Sequence, residues 1–228
     1  MSQTTYFPPR EFTPYQRAAI ERLSGLTAVQ IEVFLSDMKT RAVTRTIDDA
    51  VRNAVMNAGQ AQFLRDAIAS RSSILITGRT SAGKTWIQQA IANEVALAFP
   101  GETVRIIDDH AELYASHDNH EIELALDGGV ELAATVARAS KENVRHVVLG
   151  ELRHAEVLPE LATLATSGAQ VIATFYCHDA ARLQKDLSPY AGIAEAKRLL
   201  HAVGLVVHME QHRVARVSRI DYLSTNGL

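Results

Sequence analysis

Gly78-Arg79-Thr80-Ser81-Ala82-Gly83-Lys84-Thr85 is a complete phosphate-binding loop. Gly78 and Gly83 allow turns that a side chain would obstruct. The amides of Thr80, Ser81 and Ala82, with the N-terminus of a following helix, form a cradle for an anion. Lys84 is suited to the β and γ oxygens and Thr85 to Mg2+, so Mg·ATP is the expected ligand. Acids further along the chain decide what becomes of the nucleotide. Asp108 and Asp109 follow the apolar run Val104-Arg105-Ile106-Ile107, at the carboxyl end of a strand, where an open α/β sheet presents its site. A carboxylate there can orient an attacking water. Glu151 follows His146-Val147-Val148-Leu149-Gly150 and would hold Mg2+ through water or polarise the nucleophile, with Gly150 allowing close approach to the phosphates. The alternative for each acid is a helix cap or a solvated loop carboxylate.

The elements that must position these residues are legible around them. Ser73-Ile74-Leu75-Ile76-Thr77 is short, apolar and rich in β-branched residues. Ile87, Ala90, Ile91, Val95 and Leu97 then recur at helical spacing. Strands are predicted at 73–77, 103–107, 146–150 and 170–175, and helices at 84–98, 129–140, 155–166 and 179–186. Strands separated by helices imply a mainly parallel sheet covered on both faces. Val203 to Met209 and Arg213 to Tyr222, separated by Glu210-Gln211-His212, predict a terminal hairpin. Ahead of the loop, helical patterns run over 15–23, 27–38, 47–58 and 60–69, with Thr27 and Thr46 as N-caps, behind a Pro-containing arm.

With 228 residues the chain can bury a sizeable core, as one principal domain and a smaller appendage. A net charge of −3 provides no global basic field, so direct nucleic-acid binding is not expected. The single cysteine, Cys177, excludes an internal disulfide and reads as a buried structural thiol at the end of an apolar run. No basic-then-apolar leader and no stretch approaching 18 apolar residues is present, so a cytoplasmic location is expected.

From about Gln60 to Tyr222 the ordered motifs resemble the secretion traffic ATPases, which power type II and type IV secretion, conjugation and type IV pili. Ile74 to Thr85 resembles their Walker A region. Arg105-Ile106-Ile107-Asp108-Asp109-His110-Ala111-Glu112-Leu113 is similar to their aspartate box. Leu149-Gly150-Glu151-Leu152-Arg153 resembles their Walker B segment. The resemblance implies an α/β, RecA-like P-loop NTPase fold with a mainly parallel sheet, a helical N-terminal extension and a C-terminal β-hairpin. Residues 1–58 would form the arm and short helical region, and 59–228 the ATPase domain. It also implies an Mg2+-dependent motor subunit that hydrolyses ATP in a hexameric ring, at the periphery of an inner-membrane secretion, conjugation or pilus machine. Thr85 and Glu151 would serve the metal, Asp108 or Glu151 the attacking water, and Arg153 the nucleotide or an interface.

Three departures bear on turnover. Asp108 stands where the family has a catalytic Glu, and a displacement of about 1 Å can cost on the order of a hundredfold in rate. Ala169 and Tyr176 occupy both histidine positions of a segment resembling the histidine box, with His178 two residues beyond either a partial substitute or an ordinary polar residue at a strand end. The region ahead of residue 59 is short for a domain that supplies arginines to the nucleotide, leaving Arg41, Arg45 and Arg52 as candidates for that contact or as basic side chains that face solvent. The alternative reading is a catalytically weak, nucleotide-binding assembly subunit of such a machine.

Overall fold

The computed structural model describes residues 45–110, 112–125 and 128–220. The expected arm, the helices at 15–23 and 27–38, the Thr27 cap, Arg41 and the last residues of the terminal strand lie outside them. Helix α1 (Ile47–Arg52) is capped by Thr46, whose hydroxyl accepts from the Asp49 amide at 3.0 Å. The helix expected over 47–58 ends at Arg52, where Asn53 caps it and Ala54 turns into the left-handed region with φ of 55°, and Asn57 opens a second one, α2 (Ala58–Ala69). There the Asn57 side chain accepts from the Gln60 amide at 2.8 Å and the Gln60 side chain accepts from the Asn57 amide at 2.9 Å, a reciprocal capping box.

The alternation that follows is β1 (Ser73–Gly78), α3 (Lys84–Ala98), β2 (Val104–Asp108), β3 (His120–Leu124), α4 (Gly129–Lys141), β4 (His146–Glu151), α5 (Val157–Thr166), β5 (Gln170–Tyr176), α6 (Leu183–Ala202), β6 (Val203–Glu210) and β7 (Arg213–Arg219). Among the described residues these strands form one sheet in the order β3-β2-β4-β5-β1-β6-β7. Every pairing is parallel except β6 with β7. The α/β class, the mainly parallel sheet and the terminal hairpin are therefore as expected.

Period-two alternation divides each central strand between two cores. Ile74 and Ile76 face a cluster with Ile47, Leu64, Ile87, Ile91, Val148 and Ile172. Leu75, Leu149 and Phe175 face the other, with Val136, Leu161, Leu187 and Leu199. Ile47 of α1 is thus continuous with the core behind the phosphate loop. Cys177 is fully buried in the opposite cluster, and burial pushes its thiol up to about 12. At the amino ends of the strands, Arg71 grips Glu102 through bonds of 2.6 and 2.7 Å. Its guanidinium lies 4.1 Å from the centre of Phe99, which stacks on buried His146.

Three expectations need correction. Leu97, counted in the apolar pattern of α3, is 61% exposed near that helix's end. Strand β3 was not predicted. Its sequence His-Glu-Ile-Glu-Leu alternates like a strand, but it is short and charged, and among the described residues it pairs only with β2, at the sheet edge. Helix α6 runs well past the expected 186. It continues through Pro189 and changes direction at Gly192, whose φ of 83° and ψ of 163° are non-helical, before resuming.

Candidate nucleotide site

Strand β1 lies between β5 and β6, neither of them its neighbour in sequence, while its sequence successor β2 lies beyond β4. Such a reversal of strand order opens a crevice at the carboxyl ends of a parallel sheet. A pocket lies there, lined by Thr80, Ser81, Lys84 and Thr85 from the phosphate loop and α3, Asp108 at the end of β2 with Asp109, His110 and Glu112 after it, and Gly150 and Glu151 at the end of β4 with Arg153 after it.

The loop is shaped by local backbone geometry. Gly83 has φ of 94°, in the left-handed region, and sits at the N-terminus of α3, with no side-chain cap on the helix amides. Those amides are open to an anion. Lys84 is 8% exposed. Its ammonium donates to the Arg79 carbonyl at 3.1 Å and lies 3.4 Å from Glu151 Oε1. Thr85 Oγ1 donates to Glu112 Oε2 at 3.1 Å, which brings a hydroxyl and a carboxylate together beside the loop.

Glu151 reaches this point through an irregularity of the sheet. Leu149 pairs with Ala173 and Glu151 with Thr174, so Gly150 is an extra residue in β4, a bulge that re-aims the side chain after it. A Cβ at Gly150 would stand 2.9 Å from Asp108 Oδ1 and 3.3 Å from Asp109 Oδ1. The glycine therefore makes room for the segment after β2, a closer demand than the approach of phosphate expected for it.

Asp108 is 2% exposed, and its carboxylate is engaged by that segment. Oδ1 accepts from the His110 amide at 3.1 Å, and Oδ2 from the amides of Glu112 at 2.6 Å and Leu113 at 2.8 Å. Burial holds its pKa above the ordinary carboxylate value, and these amide bonds oppose that only in part. The residue thus folds the chain so that Glu112 meets Thr85. Arg153 donates from Nε at 2.8 Å and from a terminal nitrogen at 2.6 Å to the same oxygen of Glu151, Oε2, leaving Oε1 toward Lys84.

The structure thus brings Lys84, Thr85, Asp108, Glu151 and Arg153 together at the crevice, with Thr80 and Ser81 on its wall, Ala82 buried behind them and Gly83 at the N-cap of α3. Tyr176 and His178 form a hydrogen-bonded pair, O–N 2.8 Å, beyond the pocket lining, whereas buried Thr174 reaches it. Arg52 is directed to Asp49 at 2.5 Å, and the Arg45 carbonyl accepts from Asn93 at 2.9 Å.

Sequence reasoning assigned no role to Glu112, although its place in the aspartate-box resemblance was a readable signal. Gln88 and Gln89, fully buried on α3, carried none. Gln88 donates to the Leu149 carbonyl at 2.5 Å, beside the bulge. Gln89 donates to the Tyr114 carbonyl at 3.1 Å and accepts from the Tyr114 amide at 3.0 Å. These bonds fasten the loop helix to the segments that carry the acids.

Comparison with known proteins gives a consistent picture. The family model described as Type II/IV secretion system protein matches residues 22–214. A probable conjugal transfer protein TrbB of Sinorhizobium fredii (strain NBRC 101917 / NGR234) is 29% identical over 163 residues, 72% of this chain and 50% of that protein. Protein VirB11 of Rhizobium radiobacter is 29% identical over 146 residues, 60% of this chain and 42% of its own length. The chain spans about half the length of these curated relatives. In fold it is similar to the VirB11 ATPase of the Brucella suis type IV secretion system, with a TM-score of 0.62 at 20% identity, over 76% of this chain and 55% of that one.

Proposed function

We propose that this chain, which belongs to the Type II/IV secretion system protein family, hydrolyses Mg·ATP as one subunit of a hexameric ring that drives a conjugation or type IV secretion machine. The observation that carries the reading is the convergence, at one pocket, of Lys84, Thr85, Glu112 and Glu151 from three separate segments.

The residues fit the nucleotide and its metal. Lys84 and the open amides of α3 suit phosphate oxygens, and the Thr85 hydroxyl and nearby carboxylates are hard oxygen donors of the kind Mg2+ takes. When bound, Mg2+ would neutralise charge on the β and γ oxygens. Lys84 would leave the Arg79 carbonyl for phosphate, a short displacement for a flexible amine. Thr85 and Glu151 would hold the metal, Thr85 directly and Glu151 through water. Glu151 also has Oε1 on the loop side, where it would orient the attacking water. Asp108 would contribute by holding the segment that carries Glu112, since its own oxygens are engaged by amides. Arg153 would meet the nucleotide, or a neighbouring subunit, from the far side of Glu151. The motion would pass to partners at the inner membrane, with the chain on the cytoplasmic side. Among the described residues no helix is long and apolar enough to cross a membrane.

A second reading, an assembly subunit that binds nucleotide without useful turnover, is favoured by the engagement of Asp108 and by Ala169 and Tyr176 at the positions of the family's histidines. Phosphate release and mass in solution, with and without ATP, separate the two for the wild type, Lys84→Ala and Glu151→Gln. The motor requires turnover that either change abolishes and a ring-sized mass. Tight ATP binding with release no greater than Lys84→Ala would establish the silent subunit instead.

A further inference from the structure

A chain of polar contacts runs along the pocket wall that the segments after β2 and β4 form, through Arg153, His110 and Asp109. Arg153, which forks onto Glu151, also directs its other terminal nitrogen to His110 Nε2 at 2.8 Å, and His110 Nδ1 lies 2.9 Å from Asp109 Oδ1. A guanidinium has only donors, so His110 Nε2 must accept. The ring proton is then on Nδ1, where it donates to a carboxylate whose residue is 5% exposed in its side chain. The other Asp109 oxygen is buried without a hydrogen-bond partner, with His154 Nε2 at 3.7 Å. Both neighbours of the imidazole therefore select the same neutral tautomer, and the ring joins the segment after β2 to the segment after β4.

We propose that His110 is a positioning residue for hydrolysis: it anchors the Arg153 guanidinium to Asp109, and Arg153 in turn fixes which oxygen of Glu151 faces the phosphate loop. Arg153 and His110 side chains are 43% and 45% exposed, so neither is held by close packing. Without His110 the guanidinium keeps its bond to Glu151 but loses its tether, and the carboxylate and guanidinium swing together. The main chain at His110 is fixed independently, by its amide bond to Asp108, so trimming the side chain leaves the segment folded. This inference rests on the assignment of Glu151 to the attacking water.

The test is steady-state phosphate release by the wild type, His110→Ala and His110→Gln. An amide at 110 retains one acceptor for Arg153 and one donor for Asp109. His110→Ala should lower kcat about tenfold with KM for Mg·ATP within about twofold, and His110→Gln should recover most of the loss. An unchanged kcat, a loss carried by KM, or a Gln variant as impaired as Ala would overturn the proposal. A second readout needs no turnover. At about pH 8, where an ordinary imidazole is neutral, ring 15N spectra of histidine-labelled protein, assigned by the signals lost in His110→Ala, should show Nδ1 protonated and Nε2 bare. The opposite tautomer would overturn the anchoring even in an active enzyme. The expected tautomer in a protein without turnover would uphold the anchoring and refute the ATPase reading instead.

Discussion

At Gly150 a single hydrogen in place of a side chain lets the carboxylates of Asp108 and Asp109 come to 2.9 and 3.3 Å of where a Cβ would stand. The first of these distances is shorter than real Cβ contacts allow, so Gly150→Ala must displace the Asp108 carboxylate, which holds the segment after β2 through the His110, Glu112 and Leu113 amides. The expected outcome is a folded protein in which Glu112 leaves Thr85 and turnover falls at least about tenfold, since displacements near 1 Å at a reacting centre have effects of that order or more. Phosphate release beside a thermal melt checks it, and an alanine variant with full turnover would show that the close approach is dispensable. Asp108 illustrates how a residue can be placed correctly and still be read incompletely. Its position at the carboxyl end of β2 follows from the sequence, whereas its engagement by the amides of His110, Glu112 and Leu113 does not.

At the level of elements, helix α3 is held to its surroundings by buried polar groups as well as by its apolar face. His120 at the start of β3 is fully buried. Its Nε2 donates to the Ala92 carbonyl of α3 at 3.2 Å, while its Nδ1 accepts from the Ser116 amide at 3.2 Å. Burial pulls its pKa down to about 4. The unfolded chain takes up a proton as pH falls through about 6.5, the ordinary histidine value, and the folded protein does so only near 4. Stability from neutral His120 is thus fully present above the first value and is lost as pH falls toward the second, by up to about 3 kcal/mol. His120→Gln, which does not titrate, should be less stable at neutral pH, with a gap to the wild type that narrows on acidification. Urea midpoints across that range measure the gap, and a constant gap would mean that His120 is not the titrating group. Strand β3 itself escaped the sequence because an edge strand with one neighbour can carry Glu at alternate positions.

On the scale of the whole molecule, two cores on opposite faces of one sheet make the α/β body a single cooperative unit. Cys177 reports on that unity. It is fully buried, it donates to the Asp179 carbonyl at 3.0 Å, and its raised pKa suppresses the thiolate. Its labelling by a thiol reagent should proceed at the rate of global unfolding followed by circular dichroism, and rapid labelling of the native protein would reveal a local opening near β5. The sequence by itself determined the phosphate loop, the alternation of strands and helices apart from β3, the hairpin and the family, because each is written in short runs of neighbouring residues. Periodicity, glycine placement and motif spacing need no knowledge of distant contacts. Only the tertiary structure decided that β1 lies between β5 and β6, that a bulge at Gly150 aims Glu151, that Glu112 meets Thr85, and that Arg153 and His110 stand behind Glu151. Those facts join residues tens of positions apart, through register and side-chain direction, and a linear pattern of residue types carries neither.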